Sequence, residues 1–373
     1  MASLTKAIGM NASIVALAAG VILSTVGCAS RKEIVIGFAA SMSGMDYMLG
    51  VEGRNAAMLF VDELNASGGV GGSKLRLEVR DLASDDSRVP IVARELVEAG
   101  AVAIVGFYSS SSALAAIPVL QEAGVPIISP TSTADSLSGL DDVFFRTIMT
   151  SVRDPLVLGK QMREAGQSRI LFIAAAYNKP YYETYLKGLE PLVTISGTIR
   201  YSTLQDIDYG LIEGLARNPG YDAVMIVASS LDTGTIAQKL ALLGLRKPLY
   251  LSGWAGNEDV ITYGGAAVEG ALLVHQVDVD LSKDTTLSVR YRAVFGREAS
   301  YGAIETWDSM LLLVEGLRAA KGDARKLYPA LKGIKSFQGT SSTITIDSTG
   351  DARRALYMKR IQNGHFTVTG RAD

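Results

Sequence analysis

Residues 101–133 read AVAIVGFYSSSSALAAIPVLQEAGVPIISPTST, and this stretch decides the fold. The apolar run 101–107 predicts a strand, and four serines, Ser109 to Ser112, follow it. Leu114, Ile117, Leu120 and Gln121 then recur at spacings of three and four, which predicts a helix. Gly124 stops the helix, a second apolar run covers 125–128, and the polar cluster 129–133 ends the stretch. This is strand, helix, strand, with hydroxyls just past the carboxyl end of each strand. Open α/β sheets bind ligands at that end. The serines also open a helix, whose free N–H groups and positive dipole end favour an anion such as a carboxylate.

The pattern extends in both directions. Upstream, strands are predicted at 34–39 and 74–81, with helices at 51–65 and 89–99 and a glycine-rich turn at 65–72. A strand follows at 143–148, and Asp154-Pro155 reads as a helix N-cap followed by proline at the first position. A second series then begins, with strands at 169–176, 193–201, 222–228 and 248–251. Its helices fall at 209–217 and 232–243, and a tyrosine-rich loop at 177–185 enters another. Such alternation means βαβ units and mostly parallel sheets. The halves echo each other: from Val105 to Pro126 is ~21 positions, and from Val227 to Pro248 is the same spacing. Two similar α/β lobes are expected, with polar strand ends facing a shared cleft, the usual place for a small-molecule site. A strand at 270–276, helices at 285–295, 303–319 and 324–331, and strands at 343–346 and 356–361 complete the chain.

A length of 373 residues suits two domains, and 48% hydrophobic with 20% charged residues describes an ordinary folded protein. The net charge of −2 argues against nucleic acid as the main partner. Residues 1–27 read as a secretory signal: Lys6 near the start, an apolar core, then small residues before Cys28. Gly27-Cys28 resembles the lipobox of bacterial lipoproteins, although Thr25 stands where that motif usually has leucine. The resemblance implies lipidation of Cys28 and a tether over 28–32. Cys28 is the one cysteine, so neither a disulfide framework nor a cysteine metal site is available.

Catalytic patterns are not evident. His275 and His365, the two histidines, lie beside strand-like runs without paired carboxylates and read as surface or strand-packing residues. The sequence has no G-x-S-x-G elbow. Gly72-Ser73-Lys74 is not the end of a phosphate-binding loop. A binding protein is therefore expected, not an enzyme, with no cofactor and no metal.

The order of elements resembles the type I periplasmic solute-binding proteins, specifically the leucine/isoleucine/valine-binding group of ABC transporters, over about 33–370. The residues that carry the resemblance are Ile36-Gly37-Phe38-Ala39 with Ser43-Gly44, the 65–72 turn, Gly106 with Ser109 to Ser112, and Ile128 to Thr133. Arg146-Thr147 and Val268-Glu269-Gly270 also fit. The resemblance implies an α/β fold of two Rossmann-like lobes with parallel sheets, joined by a three-strand hinge. Crossovers near Ile148, Gln276 and Ile346 place 33–148 with 277–346 in lobe one, and 149–276 with 347–373 in lobe two. It also implies a monomer that closes on a small ligand and docks on an ABC permease, held to the membrane by a lipid anchor.

Family binding positions carry over one by one. The serine that holds a ligand carboxylate looks like Ser110, with Ser109 as the alternative. The backbone-and-threonine site looks like Thr131, Ser132 and Thr133. Leu49 falls near the aromatic of the first loop, with Tyr47 beside it. From lobe two, Tyr181 matches a tyrosine, while Ser229 replaces an aromatic. Trp254 and Ser151 stand where the family has acids that meet a ligand's ammonium. Asp46, Asp232, Glu258 and Arg153 are the charged groups left as alternatives to neighbour it. The expected ligand is a small carboxylate: a branched-chain or other apolar amino acid, or an aromatic or aliphatic acid. The alternative is a sensing module of the same fold that presents its ligand to a signalling receptor.

Overall fold

The computed structural model describes residues 33–44, 47–217, 220–278 and 282–372. The expected signal segment, the tether with Cys28, and Asp46 lie outside them. The first sheet holds β1 (Ile34–Ala40), β2 (Leu75–Asp81), β3 (Ala103–Gly106), β4 (Ile127–Ser129) and β5 (Phe144–Arg146). It is parallel throughout, in the order β2-β1-β3-β4-β5. The early helices are α1 (Tyr47–Ala66), α2 (Val89–Glu98) and α3 (Ser110–Ala123).

The second sheet is built from β6 (Arg169–Ala175), β7 (Thr194–Tyr201), β8 (Ala223–Val227), β9 (Leu249–Leu251) and β10 (Leu272–His275), which run parallel. Its helices are α4 (Arg153–Glu164), α5 (Lys179–Leu189), α6 (Tyr209–Arg217), α7 (Ser230–Leu242) and α8 (Asp259–Gly264). The chain then returns to the first lobe with α9 (Thr286–Phe295), α10 (Tyr301–Ala319) and α11 (Leu327–Gly333). A small antiparallel sheet follows: β11 (Ser336–Gln338), β12 (Thr343–Ile346) and β13 (Ala352–Arg353). Last, β14 (Tyr357–Gln362) and β15 (His365–Arg371) add antiparallel to β10, giving the order β15-β14-β10-β9-β8-β6-β7.

Both faces of each sheet are covered, and this explains the unbroken apolar strands. In β3, Ala103 and Val105 pack in one core and Ile104 in another. In β8, Val224 and Ile226 face one way while Ala223, Met225 and Val227 face the other. In the first sheet the chain order reverses between β1 and β3, and in the second between β6 and β8. These are the switch points where a crevice opens beyond the strand ends.

Two boundaries differ from the sequence reading. The third crossover was expected near Ile346, but β13 still pairs with β12 and Ala352 packs in the first lobe's core. Leu356 is the first residue packed in the second lobe. The chain also does not end on β14: Asn363 and Gly364, at φ 53 and 71, turn it into β15. An Asn-Gly pair with two positive φ angles makes a tight hairpin.

The crossovers are tied together. The Gln276 side chain accepts from the Met149 N–H at 2.5 Å and donates to its carbonyl at 2.7 Å. Arg354 donates to the Thr147 carbonyl at 3.3 Å and lies 3.1 Å from Asp308 Oδ2 in a fully buried ion contact. Lys359 Nζ donates to the Val277 carbonyl at 2.5 Å.

Gly106 tests how β3 leaves the sheet. Its φ is +152, and a Cβ there would lie 2.2 Å from the Ala39 carbonyl oxygen. The Gly106→Ala variant is expected to lose roughly 1–3 kcal/mol of stability in urea denaturation, from overpacking and backbone strain. An unchanged midpoint would show that β1 and β3 spread freely.

Candidate ligand site between the lobes

A cavity of about 320 Å³ lies at the two switch points, with walls from both lobes. The first lobe supplies Ser41 after β1, Tyr108 and Ser109 after β3, and Thr131 and Thr133 after β4. The second supplies Asp154, Tyr177, Asn178, Tyr181 and Trp254. Among the described residues that line it there is no lysine or arginine.

The loop after β3 is held by hydroxyls. Ser129 and Ser132 donate to the Phe107 carbonyl at 3.2 and 2.6 Å, and Thr131 donates to the Tyr108 carbonyl at 2.7 Å. Ser109 caps α3, accepting from the Ser112 N–H at 3.0 Å. Tyr108 reaches Thr306 on α10, passing Gly53 of α1, where a Cβ would lie 1.7 Å from its hydroxyl oxygen. Arg146, fully buried, pairs with Asp351 at 2.6 Å and donates to the carbonyls of Ser132 at 3.4 Å and Ala134 at 3.3 Å. It therefore sets the position of the 132–134 backbone.

The expected site residues divide into three groups. Leu49, Ser109, Thr131, Thr133, Tyr181 and Trp254 line the cavity. Ser110, Ser132 and Ser229 do not: Ser110 accepts from the Ala134 N–H at 3.1 Å, Ser132 braces Phe107, and Ser229 caps α7. Tyr47 is 41% exposed and lines a neighbouring cavity of about 270 Å³. Asp232 lines that second cavity as well, where it accepts from Tyr201 at 2.7 Å, whereas Glu258 and Arg153 are exposed.

The facing wall is aromatic, with an acid that sequence reasoning missed. Trp254 meets Tyr177 and Tyr181 edge-on at centroid distances of 5.7 and 5.8 Å. Tyr301, from the first lobe, donates to the Trp254 carbonyl at 3.1 Å and so bridges the cleft. His275, read from sequence as a surface or strand-packing residue, is 4% exposed and belongs to the cavity wall. Burial holds its pKa well below the usual range, so it is neutral. Asp154 was expected to cap a helix. Instead α4 begins at Arg153 with Val152 as its cap, and Asp154 is 4% exposed in the first turn. Tyr185 donates to its Oδ2 at 3.0 Å, and its Oδ1 has no partner among the described residues. Burial pushes its pKa from 3.8 up to about 8, against smaller lowering effects from Tyr185 and Arg153. One sequence signal for Asp154 existed. It lies three residues, about one helical turn, after Ser151, where the family has an acid.

A family model described as "Periplasmic binding protein" matches residues 33–365. The chain belongs to this family. It is 24% identical over 329 residues to a Leu/Ile/Val-binding protein of Rhizobium johnstonii, covering 86% of this chain and 89% of the relative. It is also 23% identical over 349 residues to a leucine-, isoleucine-, valine-, threonine- and alanine-binding protein of Pseudomonas aeruginosa, covering 91% and 90%. Two solved structures share the fold. One is a branched-chain amino acid transporter substrate-binding protein of Streptococcus pneumoniae with isoleucine, at TM-score 0.80 and 22% identity, covering 91% of this chain and 99% of that one. The other is an ABC transporter solute-binding protein of R. palustris with benzoate, at TM-score 0.79 and 20% identity, covering 91% and 96%. Among the described residues, no group of three or more His, Cys, Asp or Glu side chains could hold a metal. No helix among them is long and apolar enough to cross a membrane.

A buried acid with a raised pKa makes the folded protein less stable as pH rises. The unfolded carboxyl ionises near 3.8, whereas the folded one keeps its proton to about 8. Between those values the folded state binds the extra proton, so stability falls with increasing pH across that window. Asp154→Asn removes this loss. Its melting temperature is expected to exceed that of the unsubstituted protein at pH 8, with the gap closing toward pH 4. A gap that does not change with pH would show that Asp154 is ionised throughout.

Proposed function

We propose that this chain is the extracytoplasmic solute-binding component of an ABC importer, anchored through lipidated Cys28. It captures one small carboxylate-bearing ligand between two closing lobes and presents it to a permease. The observation that carries this reading is the interlobe cavity: hydroxyls at two strand ends and the start of α3 on one wall, aromatic rings on the other. The hydroxyls and N–H groups suit a carboxylate, and the rings suit an apolar body. Leu/Ile/Val-binding relatives and a benzoate-bound structure of the same fold support the ligand class. A binding role, as in the relatives named for binding, is what we carry to this chain.

Tyr301, the Ser111 hydroxyl donating to the Tyr177 carbonyl at 3.2 Å, and the Asp135 N–H donating to Thr184 at 3.2 Å all cross between the lobes. These contacts favour the closed form, the one expected to dock on the permease.

Apolar amino acids and aromatic or aliphatic acids at millimolar concentration are expected to raise the melting temperature; a flat response across both classes would remove the ligand assignment. Ser109→Ala and Thr133→Val should each weaken binding about tenfold by calorimetry, the size of one lost hydrogen bond to a charged group. Cys28→Ala should move the protein from the membrane fraction to the soluble fraction. Retention in the membrane fraction would rule out the anchor.

A further inference from the structure

The second cavity, of about 270 Å³, adjoins the first and also takes walls from both lobes. Tyr47 and Met48 stand at the start of α1 on one side. Leu204, in the loop after β7, and Leu231 and Asp232, in the first turn of α7, stand on the other. Among the described residues, Leu49, Trp254 and Tyr301 line both cavities and form the partition between them.

Two members of the partition are fixed. Leu49 and Tyr301 are buried, and Leu49 packs on Gly302 of α10, where a Cβ would lie 2.3 Å from its Cδ1. The third, Trp254, is half-buried in the short loop after β9. Its backbone is tied down: the N–H donates to the Tyr181 hydroxyl at 3.3 Å, and the carbonyl accepts from Tyr301 at 3.1 Å and Ser230 at 3.4 Å. A ring on a fixed backbone can swing without moving the lobes. Tyr177 crosses the same boundary. It lines the first cavity, and its hydroxyl donates at 3.3 Å to Oδ2 of Asp232 in the second.

The chemistry changes in one direction across the pair. Ser109, Thr133 and the start of α3 give the first cavity a wall that suits a carboxylate. Leu49, Trp254 and Tyr301 make an apolar middle. Asp232 and Asp259 make the second cavity acidic, and among the described residues that line it there is no lysine or arginine. Arg297 stands near Asp259 but pairs with Glu52 at 3.2 Å. On Asp232, Tyr177 and Tyr201 donate to the same oxygen, Oδ2, and Oδ1 takes no hydrogen bond among the described residues. A molecule complementary to this sequence of surfaces is an anion at one end, apolar along its length, and a donor at the other.

We propose that the two cavities form one elongated site with the Trp254 indole as its inner gate, and that the ligand is a carboxylate with an apolar middle and a far end bearing O–H or N–H donors, received by Asp232. This rests on the carboxylate-binding reading and adds the length and far end of the molecule. A compound of benzoate's size stays in the first cavity. A longer one displaces the indole and enters the second. Each CH₂ buried beyond the gate adds about fourfold in affinity, and a donor that meets the carboxylate of Asp232 adds about tenfold more.

The test is titration calorimetry at neutral pH with benzoate and with the straight-chain acids butanoate, hexanoate, octanoate and decanoate, each with and without a terminal hydroxyl. The terminal hydroxyl is expected to weaken or leave unchanged the short acids and to strengthen the long ones about tenfold. Leu231→Trp, which fills the second cavity, should remove the advantage of the long acids and leave benzoate within about twofold. Asp232→Asn should remove the gain from the hydroxyl and spare the plain acids. The chain-length comparison uses the unsubstituted protein, so it stands even where a variant folds poorly. A hydroxyl that weakens binding at every length, or long acids that bind Leu231→Trp as well as the unsubstituted protein, would overturn the proposal. Binding of benzoate and butanoate without the longer acids would overturn it while leaving the carboxylate reading intact. Silence from every compound would remove both.

Discussion

The carbonyl of Phe107 accepts from two hydroxyls, Ser129 and Ser132, and the rest of the site depends on that arrangement. Phe107 has φ +54, a left-handed conformation that costs a non-glycine residue roughly 1–3 kcal/mol and persists only when its surroundings impose it. Here the surroundings are the polar cluster after β4. Ser129 and Ser132 hold Phe107, Thr131 holds Tyr108, and Ser110 holds Ala134 in return. The two strand-end loops thus fix one another, and Arg146 pins the second from behind. Of the hydroxyls in these loops, those of Ser109, Ser112, Thr131 and Thr133 belong to residues that line the cavity.

This bracing explains which parts of the site were legible in the sequence. The apolar runs, the glycine stops and the serine and threonine clusters were visible because βαβ units impose them locally. They placed both sheets and the hydroxyl wall. Position alone could not say which hydroxyls face the cavity. Ser110 and Ser132 are one residue from Ser109 and Thr133, yet they point into the protein's own backbone. Tyr301 and Tyr108 come together only because α10 returns to the first lobe nearly 200 residues after β3. No local pattern announces that. The Asn363-Gly364 hairpin and Asp154 are different, since both had local signals. The turn pair marks a hairpin, and Asp154 sits one helical turn from an expected acid. In the second case the capping reading of Asp-Pro hid the buried place of the acid in the cavity wall.

The two walls are chemically unlike although their strands echo each other. In the first lobe, the polar strand ends are bound up with backbone and leave donors facing the cavity. In the second, the corresponding ends carry Tyr177, Asn178 and Trp254, and the acid comes from a helix start instead of a strand end. The hinge joins them through buried polar links: Gln276 to Met149, Arg354 to Thr147 and Asp308, and Lys359 to Val277. Buried links of this kind are specific in geometry and costly to break, so they suit a pivot that bends without coming apart. Each wall is thus built from its own strand ends, so the chemistry of one is set independently of the other.

The measurement that tests the central claim most directly is the identity of the molecule the protein carries. Full-length protein purified without dialysis against ligand, then denatured, releases its bound small molecules for mass spectrometry. The expected result is one carboxylate-bearing compound in near-stoichiometric amount, small enough for the interlobe cavity. A bound compound without a carboxylate would contradict the role assigned here to the hydroxyl wall.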